Sequence, residues 1–341
     1  MQRHARSFLL LLSLTAFCGT VARAQPDTMK AVRFHAYGGA ELLKIEDVPR
    51  PTPAAGELLV RVIAAGVNPV DAKVRQGTFK QPGATLPLIP GYDISGIVEA
   101  AGAKATKFKK GDSVYAYLSL TRGGAYAEYA IVPEKDAAPK PKNLTHAEAA
   151  AVPLAALTAW QALVEKAKLE SGQAALIHGG SGGVGSFAVQ IAKARGAKVV
   201  ATASTRNQEF LRELGVDQPI NYRATKFEEV VSDIDVVLDT VGSDTLTRSY
   251  DIVKKGGIIV SIVDQPAKEE LEKRSIRGAV FLVQPNGEQL AAIGQLIEAG
   301  QVKSSLTHTF PMAEVGRAHE AIASGHTRGK LVLRIAEEPA P

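Results

Sequence analysis

At 341 residues the chain is too long for one small core and is expected to fold as two domains. Its apolar content of 45% and charged content of 22% are ordinary for a soluble globular protein. The net charge is +5, but Arg3, Arg6 and Arg23 fall in the first 24 residues with no acid among them, so the remainder carries only +2. So small an excess excludes a nucleic-acid footprint, and the lysines of 104–110 read as a solvated loop.

Residues 1–24 carry the three parts of a secretory leader in order. Arg3, His4 and Arg6 make a basic start, 8–17 an apolar stretch, and Ala22-Arg23-Ala24 a small-residue cleavage site before Gln25. The apolar stretch is too short to span a membrane, so no span is expected in the mature chain. The expectation is export, to the periplasm in a bacterium; a start at Met29 would instead give a cytoplasmic protein. Cys18, the only cysteine, leaves with the leader, which removes disulfides and thiolate ligands from the mature chain.

Residues 29–140 read as strands and turns, with strands at 30–34, 58–64, 94–101 and 113–117 separated by prolines and glycines. Thr145 and Glu148 form a capping box that opens a helix. Pro153 interrupts it, and a second helix is expected over 154–166.

A β-α-β unit follows. Apolar residues 174–177 lead into a turn carrying Gly180-x-Gly182-x-x-Gly185, then a helix over 184–194 and a strand over 198–203. Glycines at that spacing permit a tight turn, close approach of the backbone to a pyrophosphate, and close packing of helix on strand. The helix start offers free N–H groups and a positive dipole end to phosphates. An NAD site usually ends its second strand on a carboxylate. Here the residues are Ala203, Ser204, Thr205 and Arg206, and an arginine with hydroxyls suits a 2′-phosphate. The implied cofactor is NADP(H). Strands at 234–239, 258–263 and 279–283 then alternate with helices at 246–253 and 288–299, the rhythm of a doubly wound parallel sheet. Short strands return at 306–310 and 330–335 around a helix near 313–323.

This order resembles the medium-chain dehydrogenase/reductase superfamily, and within it the zinc-independent quinone oxidoreductase branch. The resemblance covers 29–336 and rests on Asn68-Pro69-Val70-Asp71, Pro90-Gly91-Tyr92-Asp93, 123–129, the glycine turn, Asp239-Thr240-Val241-Gly242 and Gly329-Lys330-Leu331-Val332-Leu333. It implies an α/β protein: a GroES-like, β-rich catalytic domain at 29–153, to which 291–341 returns, and a Rossmann domain at 154–290. Zinc-dependent relatives carry a cysteine where this chain has Asn68, His-Glu where it has Tyr92-Asp93, and four structural cysteines that it lacks. No metal is therefore expected. Without a Lewis acid, an alcohol's pKa is not depressed, whereas an already polarised acceptor needs no metal.

The implied activity is direct hydride transfer from NADPH to a quinone or an α,β-unsaturated carbonyl compound. Reduction of enoyl thioesters, or NADPH binding without catalysis as a sensor, are the alternatives. Asn68 and Tyr92, in the lost ligand positions, are the candidate catalytic residues, and Asp93 is expected to pair with a cation and hold the cleft wall. Tyr126 is read as covering the cleft, and His178 as a tolerated polar residue at a strand end. For the cofactor, the resemblance implies Thr158 near the nicotinamide, and Gly180, Ser181, Gly182, Gly183, Val184 and Gly185 at the pyrophosphate. Ser204 and Arg206 hold the 2′-phosphate, and Tyr222 reaches the adenosine. Thr240 and Val241 flank the cofactor in the crevice, Val263 and the backbone from Phe281 to Val283 approach the nicotinamide, and Lys330 returns from the tail towards the cofactor. A homodimer joined at an edge of the parallel sheet, late in its strand order, is a further expectation.

Overall fold

The structure, a computed structural model, describes residues 27–80, 83 and 85–338. The expected leader lies outside them. The front of the chain forms β1 (Thr28–Arg33), β2 (Lys44–Pro49), β3 (Glu57–Val67), α1 (Pro69–Gln76), β4 (Asp93–Ala101), β5 (Ser113–Tyr117), β6 (Tyr129–Pro133) and β7 (Ala137–Pro139). Two helices, α2 (His146–Ala150) and α3 (Pro153–Trp160), lead out of it. The middle forms β8 (Ala174–Ile177), α4 (Gly183–Ala194), β9 (Lys198–Ala203), α5 (Gln208–Glu213), β10 (Gln218–Asn221), β11 (Ile234–Asp239) and α6 (Ser243–Ser249). It continues through β12 (Val253–Ser261), α7 (Lys268–Arg274), β13 (Arg277–Val280) and α8 (Gly287–Glu298). The tail adds β14 (Leu306–Pro311), α9 (Val315–Ala323) and β15 (Lys330–Arg334).

The middle strands make one parallel sheet in the order β10-β9-β8-β11-β12-β13, whose strand sequence reverses beside β8. Residue alternation explains why helices cover both faces. Val236 and Leu238 of β11 join one apolar core, and Val237 between them joins another. The first core is continuous with the front sheet through α3 and α4, so the two sheets are packed around shared apolar residues. The front sheet runs β14-β15-β3-β4-β5-β7, with β6 also paired to β3. The tail therefore closes on β3 through β15.

Three differences from the sequence expectations have local causes. β3 runs on to Val67 because Ala64, Ala65 and Gly66, too small to signal a strand, continue its pairing with β4 and β15. β12 starts at Val253 rather than 258, since the Gly256-Gly257 pair sits at a register shift inside the strand rather than in a turn. β13 ends at Val280, and residues 281–283 leave the sheet and line the cleft described below. Pro153 does break the helical run: it takes the first helical position of α3, where its missing N–H costs nothing. The helix α8 packs on the front region from its start, with Tyr115 donating a hydrogen bond to the Leu290 carbonyl at 2.7 Å.

Candidate active site

A cleft of about 790 Å³ opens at the carboxyl ends of the parallel strands and extends to the front sheet. At its cofactor end the chain leaves β8, turns through Gly179–Gly182 and enters α4, whose first N–H groups have no carbonyl one turn earlier to receive them. A side chain at Gly185 would run into the Gly179 carbonyl, so helix and turn approach closely only with glycine there. Ser181, Gly182, Gly183, Val184 and Gly185 line the cleft. Gly180 does not. It packs under β9, where a Cβ would come within 2.8 Å of the Ala201 Cβ, so its place is in the turn's foundation rather than on its surface.

Ser204, Arg206 and Tyr222 line the same end, and Thr240, Val241 and Val263 line the opposite wall. Val241 and Tyr222 each line the cleft with half of their surface exposed. Arg206 donates one N–H to the His326 carbonyl at 2.7 Å, which leaves further donors of its fork for an anion. Asn207 bridges the two halves of this end, donating to Ser181 Oγ at 3.0 Å and Ser204 Oγ at 3.3 Å. Nothing local in the sequence marks an asparagine one residue beyond the expected arginine. His178 lies fully buried beneath the turn, and burial pushes its pKa down to about 4, so it is neutral.

Thr158, Phe281 and Val283 line the middle of the cleft. The Thr158 hydroxyl donates to the Leu154 carbonyl at 2.7 Å. Gln161 pins the extended segment opposite: its amide donates to the Gln284 carbonyl at 2.8 Å and accepts from the Gln284 N–H at 3.0 Å. A buried glutamine inside an apolar helix was the available signal for that role.

At the far end a buried cluster joins four separate stretches of chain. Asn68 precedes Pro69 and opens α1, and its backbone N–H donates to Asp71 Oδ2 at 2.7 Å. With that carboxylate serving the helix start, the Asn68 side chain turns to Asp93 and donates to Oδ2 at 2.8 Å. Asp93 Oδ1 receives the Leu154 N–H at 2.8 Å, and the Lys330 ammonium stands 3.5 Å from Oδ2. Lys330 also donates to Asn68 Oδ1 and to the Val67 carbonyl. Its stem lines the cleft while its charge turns away from the cofactor end, towards Asn68 and Asp93. Burial pushes Asp93 up and Lys330 down, and each one's charge limits the other's shift. Asp71 is pushed up to about 7 by burial, against the pull of its bonds from Tyr126 and the Asn68 N–H.

Asn68 lines the cleft, but Tyr92 does not. Tyr92 immediately precedes β4, and with Asp93 turned to Asn68 its ring lies in the apolar core with 1% exposure. Its place as a catalytic residue is corrected accordingly. The phenol that lines this end of the cleft is Tyr117, paired in register with Asp93. Its hydroxyl is buried with no hydrogen-bond partner among the described residues, and burial pushes its pKa well above the phenol range. Tyr126 lies behind the cleft wall and donates to Asp71 at 2.7 Å. Val70, Phe79, Leu120, Leu154 and Leu282 complete an apolar wall at this end.

Known proteins resemble this chain over most of its length. Residues 54–142 match the alcohol dehydrogenase GroES-like domain family, and 214–333 match the family described as zinc-binding dehydrogenase. The 2-methylene-furan-3-one reductase of Solanum lycopersicum is 38% identical over 319 residues, covering 90% of this chain and 79% of that one. The chloroplastic NADPH-dependent alkenal/one oxidoreductase of Arabidopsis thaliana is also 38% identical, covering 90% and 80%. The quinone oxidoreductase of Coxiella burnetii superposes with a TM-score of 0.85 at 36% identity, covering 91% of this chain and all of that one. The chain belongs to the medium-chain dehydrogenase/reductase superfamily. Within it, the chain falls in the quinone oxidoreductase branch. Despite the name of the second family, the residues present do not make a zinc site. No group of three or more His, Cys, Asp or Glu stands close enough to hold a metal among the described residues, and Asp93 is already engaged by Lys330, Asn68 and a backbone N–H.

Proposed function

We propose that the protein is an NADPH-dependent reductase of quinones and α,β-unsaturated carbonyl compounds. One observation carries the reading: a single cleft joins a dinucleotide turn, with an arginine in place of the ribose carboxylate, to a substrate end whose polar cluster holds an ammonium group and no ligand set for zinc. Relatives named for alkenal/one, furanone and quinone reduction support it.

NADPH, when bound, supplies a hydride from its nicotinamide ring. The chain's own groups do the rest. The glycine turn and the α4 N-terminus receive the pyrophosphate, and Ser204 and Arg206 receive the 2′-phosphate. Gln161 holds the 282–284 segment as one wall of the nicotinamide end. The apolar wall around Phe79, Leu120 and Leu282 excludes water and orients the acceptor. Asn68 keeps one amide hydrogen for the oxygen on which negative charge develops. The final proton comes from solvent.

The test is oxidation of NADPH with a panel of simple quinones, alkenals and enones, with and without a chelator. Turnover that survives chelation is expected; tight NADPH binding with no turnover on any acceptor would overturn the reading in favour of a sensor. Export through residues 1–24 also belongs to the proposal. It stands with a native N-terminus at Gln25 and falls with one at Met29. Pairing of two copies along β13, one of the two edge strands of the parallel sheet, on which Val280 is 40% exposed, belongs to the proposal as well. A monomer in sedimentation would end that part.

A further inference from the structure

We propose that Lys330 is a positioning residue for the reaction: together with Asp93 it fixes which end of the Asn68 amide faces the substrate. The inference rests on the reading of Asn68 given above and goes beyond it by assigning the device that orients that side chain.

An asparagine amide has an acceptor end and a donor end of nearly equal shape, so its orientation is decided by its neighbours. The two neighbours here have opposite and exclusive hydrogen-bonding character. A lysine ammonium has three donors and no acceptor, and an ionised carboxylate has acceptors only. Lys330 Nζ faces Asn68 Oδ1, and Asn68 Nδ2 faces Asp93 Oδ2 at 2.8 Å. Turning the amide over would set donor against donor and acceptor against acceptor in a site where all three side chains are buried to 3% exposure or less.

Neither clamp residue has freedom to turn elsewhere. The Lys330 ammonium donates to the Val67 carbonyl at 3.2 Å and to Asn68 Oδ1, and its charge is paired with Asp93 Oδ2 at 3.5 Å. Asp93 Oδ1 is held by the Leu154 N–H. Strand register places Lys330 there: Leu331 of β15 pairs with Val67 of β3, so the preceding lysine comes level with Asn68. One Nδ2 hydrogen of Asn68 remains without a partner among the described residues, on a side chain that lines the cleft. The Lys330 stem lies against Gly183, and the Gly329 N–H donates to the Ser181 carbonyl at 2.9 Å, so the clamp is also anchored on the dinucleotide turn.

The experiment is a double-mutant cycle on the full chain, combining Lys330→Met with Asn68→Ala, assayed for kcat with an alkenal at saturating NADPH and for NADPH affinity by fluorescence. Each single variant is expected to lower kcat about 10–100-fold, with NADPH affinity changed less than about 3-fold. The double variant should lose no more than Asn68→Ala alone. An unchanged kcat in Lys330→Met, or losses that multiply, would overturn the proposal. Lys330→Gln, which keeps a donor without the charge, should recover most of the kcat lost in Lys330→Met and serves if that variant folds poorly. A second measurement does not depend on turnover: hydrogen exchange of the Asn68 side-chain amide, identified by NMR through its disappearance in Asn68→Ala. Protection should fall at least about 10-fold in Lys330→Met or Lys330→Gln/Asp93→Leu. Unchanged protection refutes the clamp even if the wild type reduces every acceptor; an inactive wild type refutes the functional reading and leaves this result to decide the clamp.

Discussion

The two ends of the cleft are built from different materials. The cofactor end is mostly backbone and small residues contiguous in sequence, 179–185 followed by 203–207, held at the ends of neighbouring parallel strands. The substrate end is side chain: Asn68, Asp71, Asp93, Tyr126 and Lys330 come from four distant stretches and meet in a buried charged cluster. A backbone cradle depends on steric room and tolerates little added volume. A buried charge cluster depends on mutual satisfaction, and its stability follows protonation. Each end should therefore fail in its own way.

The largest effect is expected at the cradle. Gly185→Val would drive a side chain into the Gly179 carbonyl, costing about 3 kcal/mol or more of stability and abolishing NADPH binding. Retained NADPH affinity at wild-type stability would break the contrast. At the other end, the Asp71 carboxyl is raised to about 7 in the folded chain. The protonated form is favoured in the fold, so its contribution is complete below the ordinary carboxylate range and is lost as pH rises through about 7. Urea unfolding at pH 5 and pH 8 should show a loss on the order of 2–3 kcal/mol across that window in the wild type, absent in Asp71→Asn. Parallel pH profiles for the two proteins would remove the protonation argument.

Smaller effects sharpen the comparison. Arg206→Ala should weaken NADPH roughly 10–30-fold and leave NADH nearly unchanged, measured by titration of both; equal weakening would remove the 2′-phosphate from Arg206. Two neighbouring tyrosines of β5 separate packing from hydrogen bonding. Tyr115→Phe loses the bond to the Leu290 carbonyl and should cost about 1 kcal/mol, whereas Tyr117→Phe removes a buried hydroxyl with no partner among the described residues and should leave Tm equal or higher. A large loss of Tm in Tyr117→Phe would show that its hydroxyl is satisfied in the folded protein.

The strand–turn–helix of the cofactor end was legible residue by residue, because glycine spacing and apolar periodicity are local properties that no distant contact has to supply. β8, β9 and β11 fall at their expected positions for the same reason. Gly180 shows the limit: its type was readable as part of the turn, but which side of the turn faces the ligand depends on β9 lying beneath it. Asn68 stood out from its place in a motif, and the structure brings it to the cleft. Tyr92 was expected in the cleft, but a motif position carries no information about whether a side chain turns to cleft or core, and Tyr117 carried no local signal at all.

What the sequence determined by itself was the alternation of strands and helices around the glycine turn and the absence of a carboxylate at 203–206, both encoded within short windows. What only the tertiary structure decided was the substrate end. The pairing of β15 with β3 brings Lys330 to Asn68 across more than 260 residues of chain, and burial then forces those charges and dipoles into mutual satisfaction.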